Sequence, residues 1–202
     1  MGRHQSQVKG YSQAGAIDWF SFQLANALVG NMFNSPALEV LAGNVEFVVS
    51  EPCIMCIRGA SCTLSINNGI VENSVVHWLK PDDRVKLGPA INGVFTYIAF
   101  SAQFKLPLFA GSVCAVKREK VGGPLHDGSA IRSGQSFEFT SNNACVKINS
   151  SIVIALNQNY QKALSIPIIN SLINAQVSPH KFLTFSYCYQ DTAFSSVDKQ
   201  RF

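Results

Sequence analysis

Residues 12–31, SQAGAIDWFSFQLANALVGN, run on through Met32, Phe33 and Asn34 into SPALEVLAG at 35–43, and within this stretch the hydrophobic period changes. In its first part Phe20, Leu24, Ala27 and Leu28 recur at helical spacing, Asp18 stands at the N-cap position, and Gly30 follows the last apolar turn. A carboxylate there accepts otherwise orphaned backbone N–H groups, and glycine can take the left-handed exit. The spacing predicts a helix over 19–29. From Leu38 onward the chain reads instead as short β-type runs: 38–41, 45–49, 54–57, 62–66, 70–71, 75–79, 84–87 and 94–100. Turn chemistry separates them, notably Asn67, Asn68 and Gly69, and Lys80, Pro81, Asp82 and Asp83. One early helix followed by many short strands predicts a mainly β fold, an antiparallel barrel or sandwich with few helices.

Residues 107–135 hold Pro107, Gly111, Gly122, Gly123, Pro124, Gly128 and Gly134, the composition of an ordered, turn-rich excursion of the kind that often carries function. Strands are expected again at 137–139, 145–148, 152–156 and 182–187, with a short helix at 168–173 and a helical start at Ser196. The 202 residues are 47% hydrophobic and only 14% charged, so the chain must hide more apolar surface than an isolated soluble domain does, against a partner or a missing second half. Its net charge of +4 is dispersed, without a basic block, which argues against nucleic acid. The polar start MGRHQSQVKG and the lack of any long apolar run predict neither a signal peptide nor a membrane span, hence a cytoplasmic protein. Six cysteines at irregular positions (Cys53, Cys56, Cys62, Cys114, Cys145, Cys188) suit packed thiols in a reducing compartment.

Several residues invite chemical readings. Cys53 and Cys56 form a lone C-x-x-C, but positions i and i+3 of a strand face opposite sides, and no second pair follows; buried thiols, not a metal site, are expected. Cys114 and His126 share the Gly-rich excursion, yet nothing in the sequence brings a nucleophile to its base there, so a core thiol and a solvated turn histidine are expected. Gly122, Gly123 and Gly128 lack the Lys and Ser/Thr that complete a phosphate loop. Arg58, Gly59 and Ala60, placed after the run 54–57, offer one cation and backbone N–H groups to a carboxylate, or else end a strand with an exposed arginine. Asp18 is read as a cap rather than a general base.

The order of residues over 15–43 is similar to a family signature: Gly-Ala-hydrophobic-Asp, then LAN-x-LVGN, then ALE-hydrophobic. It resembles the biotin-dependent carboxyltransferase family that includes the C subunit of 5-oxoprolinase, Kip-type regulators, and the carboxyltransferase part of urea carboxylase, the allophanate hydrolase subunit 2 family. Further matches follow in register at Arg58, Gly59 and Ala60, at Tyr97, Ile98 and Ala99, at Gly111 and Ser112, and at Gly122, Gly123 and Gly134; Tyr189, Gln190, Phe194 and 199–202 resemble the segment before the family's second half. The resemblance implies a cyclophilin-like β-barrel, with a domain over 1–160 and the start of a second half at 161–202. Family members carry a strand and a Gln-Asp step before the Gly-Arg that resembles Gly2 and Arg3, and continue past Phe202, so both ends are expected to be truncated and the second barrel half largely missing.

Polar loop residues depart from the family pattern more than scaffold residues do. Ala-Val-Ala-Gly-Gly is Ala99, Phe100, Ser101, Ala102 and Gln103 here, and Gly-Ser-x-Ser-Thr is Gly111, Ser112, Val113, Cys114 and Ala115; Gly-Arg and Gly-Asp become Gly128-Ser129 and Gly134-Gln135. If those charged groups hold an anionic substrate or orient a partner in the family, each one lost here removes a charge-assisted bond worth about 1.5 to 3 kcal/mol. The resemblance implies a subunit of a 5-oxoprolinase-type complex that hydrolyses 5-oxoproline to glutamate at the expense of ATP. It leaves open a noncatalytic Kip-type regulatory module or decayed fragment, and urea carboxylase or allophanate chemistry. The expected partners are the other subunits and a small carboxylate or amide substrate. No cofactor is expected in this chain: ATP belongs to the complex, and biotin must come from a partner because no Met-Lys-Met attachment motif occurs. Arg58, Gly59, Ala60 and Ser112 are the candidate ligand-facing positions, and no catalytic residue is singled out.

Overall fold

A computed structural model describes residues 2–73 and 75–141 of the chain. The strands expected at 145–148, 152–156 and 182–187, the helix at 168–173, the helical start at Ser196 and the domain division near 160 lie outside the described residues. Within them the chain forms two compact units, one spanning 18–102, the other joining 2–17 to 103–140.

The first unit is an antiparallel sheet with one helix. Helix α1, Trp19–Leu28, begins where the sequence places it: the Asp18 carboxylate accepts from Ser21 N at 3.0 Å, and Gly30 leaves with φ 77°. Strands β1 (Leu38–Leu41) and β2 (Gly43–Val48) both pair with one long strand, β6 (Arg84–Phe100). A second long strand, β3 (Cys53–Ile66), pairs with β6 along its length and with β4 (Gly69–Val71) and β5 (Val76–Leu79) at its two ends. Asn67 and Asn68, at φ 50° and 68°, close the β3–β4 hairpin in the doubly left-handed turn that matches strand twist. The mainly β, antiparallel expectation therefore holds.

The sequence separates 54–57 from 62–66, and 84–87 from 94–100, whereas each pair is one continuous strand. Gly59 explains the first case. At φ 109° it sits so close to β6 that an added Cβ would lie 2.3 Å from Phe95 O, and the ladder shifts register between Gly59 and Leu64. This is a β-bulge, which bends a strand without ending it. Arg58, Gly59 and Ala60 are thus inside β3, a correction to their placement at a strand end, and Arg58 is 3% exposed rather than solvated.

Cys53 to Arg58 are all buried, so β3 is covered on both faces there. The face carrying Tyr97 meets α1, with the Phe22 ring edge-on to Tyr97 at 6.0 Å; on the other, Phe47 meets Phe100 at 5.6 Å. The two asparagines of LANALVGN tie the helix to the sheet. Asn26 Nδ2 donates to Phe22 O and Ser35 O, while Asn31 Nδ2 donates to Asn26 Oδ1 at 3.0 Å and to Phe100 O at 2.7 Å. Buried amides satisfied in this way fix the geometry of the helix exit.

The second unit is built from turns. A 3-10 turn at Ser6–Lys9 precedes an irregular segment, and 105–138 is a chain of bends with isolated bridges Phe109–Ser112 and Val116–Val121. Strands β7 (Ala102–Phe104) and β8 (Phe139–Ser141) pair, β8 lying two residues later than the run at 137–139 suggests. The Gly-rich excursion is ordered by backbone hydrogen bonds, as its composition predicts.

Candidate functional site

Tyr97 is the centre of the polar cluster in the sheet unit. Its register partners are Arg58 on β3 and Glu39 on β1, so the three side chains form one transverse row on the α1 face, with directly opposed Cβ atoms about 5 Å apart. The Tyr97 hydroxyl donates to Glu39 Oε2 at 2.7 Å and accepts from Asp18 N at 2.9 Å. Asp18 closes the cluster from the helix end, its second carboxylate oxygen accepting from Ser21 Oγ at 2.6 Å. A phenol and two carboxylates thus meet where β6, the short strand β1 and the helix start come together, with Arg58 the β3 register neighbour of Tyr97.

Burial sets their protonation. Desolvation pushes Asp18 above the usual carboxylate range, opposed by its bonds from Ser21. Burial raises the Tyr97 phenol, and the Glu39 charge adds to this, so the hydroxyl stays protonated and acts as a fixed donor. Burial lowers Arg58, although arginine remains a cation, and its Nη1 donates to Ile57 O at 2.9 Å. Tyr97 and Arg58 are 1% and 3% exposed, whereas Glu39 is exposed, so Glu39 is the end of the row that a ligand from solvent meets.

Gly59 and Ala60 serve the row through the backbone: Gly59 permits the close approach of β6, and Ala60 O accepts from the buried Thr96 hydroxyl at 3.1 Å. Ser112 belongs to the other unit, buried at 2% exposure, where its hydroxyl accepts from Cys114 N at 3.2 Å. The row therefore gathers Arg58, Gly59 and Ala60 but does not include Ser112. Sequence reasoning did not single out Glu39 as a site residue and gave Asp18 only a cap; the one signal for them is strand register, which no single run displays.

The thiols are structural. Cys53 and Cys56 lie three apart in a continuous strand and so face opposite ways. Burial and the Asp83 charge push Cys53 to about 11, and burial raises Cys56 and Cys62, opposed by Arg58 and by the Asn73 bond respectively. Among the described residues no group of three His, Cys, Asp or Glu is placed to hold a metal ion. His126 is an exposed turn residue at φ 59° and Cys114 is half-buried.

The fold is shared with part of the Kluyveromyces lactis urea carboxylase, which superposes with a TM-score of 0.58 at 22% identity, over 65% of this chain and 11% of that one. The sequence carries the assignment further. Residues 9–191 match the family model of the carboxyltransferase domain, subdomain A and B, and the chain belongs to that family. It is 29% identical over 139 residues to the C subunit of 5-oxoprolinase from Escherichia coli (strain K12), covering 67% of this chain but 45% of that protein. Urea amidolyase of Lachancea kluyveri is 26% identical over 125 residues, 62% of this chain and 7% of the enzyme. This chain thus spans less than half the length of these curated relatives. No helix among the described residues is long and apolar enough to cross a membrane.

Proposed function

We propose that this chain is the carboxyltransferase-type subunit of a 5-oxoprolinase-type assembly, contributing to ATP-dependent hydrolysis of 5-oxoproline to glutamate. The similarity to the 5-oxoprolinase C subunit, which runs through most of the chain, carries this reading. The polar row suits a small carboxylate or cyclic amide. Arg58 supplies positive charge for a carboxylate, the locked Tyr97 hydroxyl and the exposed Glu39 carboxylate supply an amide's donor and acceptor, and Gly59 and Ala60 hold the row in register. Ser112 stands apart from the row, a further candidate hydroxyl in the Gly-rich unit. ATP binds elsewhere in the assembly, and nothing in the row calls for biotin. Exposed Ile70 (80%), Ile91 (69%) and Trp78 (61%) on the sheet unit supply apolar surface for companion subunits.

The similarity to urea amidolyase supports a second reading, carboxyl transfer onto urea from biotin carried by a partner. Co-purification with the other subunits, followed by 5-oxoproline-dependent ATP hydrolysis, separates the readings. Turnover that Glu39→Gln reduces with little loss of binding supports the first. Turnover with urea and a biotinylated carrier supports the second. Stable binding without turnover makes the chain a Kip-type regulatory module and refutes both.

A further inference from the structure

Arg3 is a buried cation with no carboxylate partner among the described residues. It is 1% exposed, its backbone N–H is tied to Gln13 O, and its guanidinium lies over the Phe109 ring, 5.3 Å from the centroid. Phe109 is itself braced edge-on by Tyr11 at 5.1 Å. One guanidinium nitrogen, Nη2, donates to Cys114 O. Nε and Nη1 are buried and have no hydrogen-bond partner among the described residues. Gly122 makes room for the group, since an added Cβ there would lie 2.4 Å from Arg3 Nη2.

The charge has no answering group among the described residues of its unit. The carboxylates there are Glu119, Asp127 and Glu138, and each pairs with another cation: Arg118, Arg132 and Lys105. Arginine does not lose its proton, and a buried charge with unspent donors is costly. Phe109 covers one face of the guanidinium, so the remaining donors lie in its plane. A planar, bidentate oxyanion is the chemistry that fits such an edge.

We propose that Arg3 is a carboxylate-binding site, separate from the Arg58–Tyr97–Glu39 row. Two sources of carboxylate exist: a small free carboxylate, or an acidic side chain from 142–202, where Asp191 and Asp198 are the only Asp or Glu residues. The inference does not rest on the 5-oxoprolinase reading, and its test does not measure turnover.

The full chain is melted in increasing acetate against chloride at matched ionic strength, with the Arg3 Nε–H NMR signal followed in the same titration. The expected result is a saturable rise in melting temperature above the chloride control, together with a shift of the Arg3 signal, because a ligand bound only by the folded state stabilises by mass action. Arg3→Lys, which keeps the charge but loses the fork, should raise the half-saturation concentration about tenfold or more, whereas the exposed Arg118→Lys should leave it unchanged. A wild type indifferent to acetate whose D191N/D198N double variant gains the response identifies the chain's own carboxylate as occupant. If both proteins behave in acetate as in chloride and the Arg3 signal stays fixed, the proposal is overturned. Neither comparison requires the Arg3 variant to fold.

Discussion

Replacing Tyr97 by Phe tests whether the row is held by hydrogen bonds or only by packing. The ring contact with Phe22 and the side-chain volume survive, so the variant removes one hydroxyl. Two bonds go with it, of unequal weight. Glu39 is exposed and regains water, so little is lost there. The amide of Asp18, in a residue 6% exposed, loses the acceptor that held it at 2.9 Å. Leaving a buried amide unsatisfied costs about 1 to 3 kcal/mol. We expect about 2 kcal/mol, which lowers the urea midpoint by about 1 M for a slope near 2 kcal/mol/M. Equilibrium unfolding in urea measures it, with an unchanged slope showing that the folded and unfolded states keep their compactness. A midpoint within about 0.2 M of wild type would mean that the hydroxyl does not hold the helix start to the sheet, and the site geometry argued from it would fail.

Three further outcomes follow from the same structure. Gly59→Ala places a methyl against Phe95 O in a left-handed residue, and should cost about 3 kcal/mol or more by urea unfolding, with the loss much smaller at the open, exposed Gly134. Asp18→Asn keeps an N-cap acceptor but removes a carboxyl whose folded pKa is raised; the wild-type group contributes stability below its unfolded value, lost as pH rises toward the folded one, so the variant should gain on wild type as pH goes from about 3 to 7. A pH-independent difference between the two would contradict the assigned desolvation. Cys53 and Cys56, buried and with raised pKa values, should resist iodoacetamide at pH 8 in the native protein and react in urea, as peptide mass mapping would show; rapid native labelling would remove them from the core.

The Arg58–Tyr97–Glu39 row and the Arg3 site differ in how charge is answered. In the row, the Glu39 carboxylate and the Asp18 amide are held by the Tyr97 hydroxyl, which ties β1 and the helix start to β6. At Arg3 the donors outnumber the acceptors, which is the arrangement that waits for an anion.

The sequence by itself determined the elements whose causes are local. Asp18 and the 3.6-residue spacing of Phe20, Leu24, Ala27 and Leu28 set helix α1, since cap and apolar stripe need no distant partner. Asn67, Asn68 and Gly69 set the β3–β4 hairpin for the same reason, and the family signature over 15–43 was legible as an ordered string. What only the tertiary structure decided was register. The break read after Ile57 is a bulge, because Gly59 interrupts the apolar pattern while allowing β6 to approach. That continuity buries Arg58 and lines it up with Tyr97 and Glu39, residues 19 or more positions from one another in sequence, which meet only because three strands pair in one frame. Burial of Arg3 is likewise invisible in its polar N-terminal segment, since Phe109, Cys114 and Gly122 reach it from more than a hundred residues away. Periodicity records which way a side chain points within its own element; which charges it meets is fixed by pairing between elements.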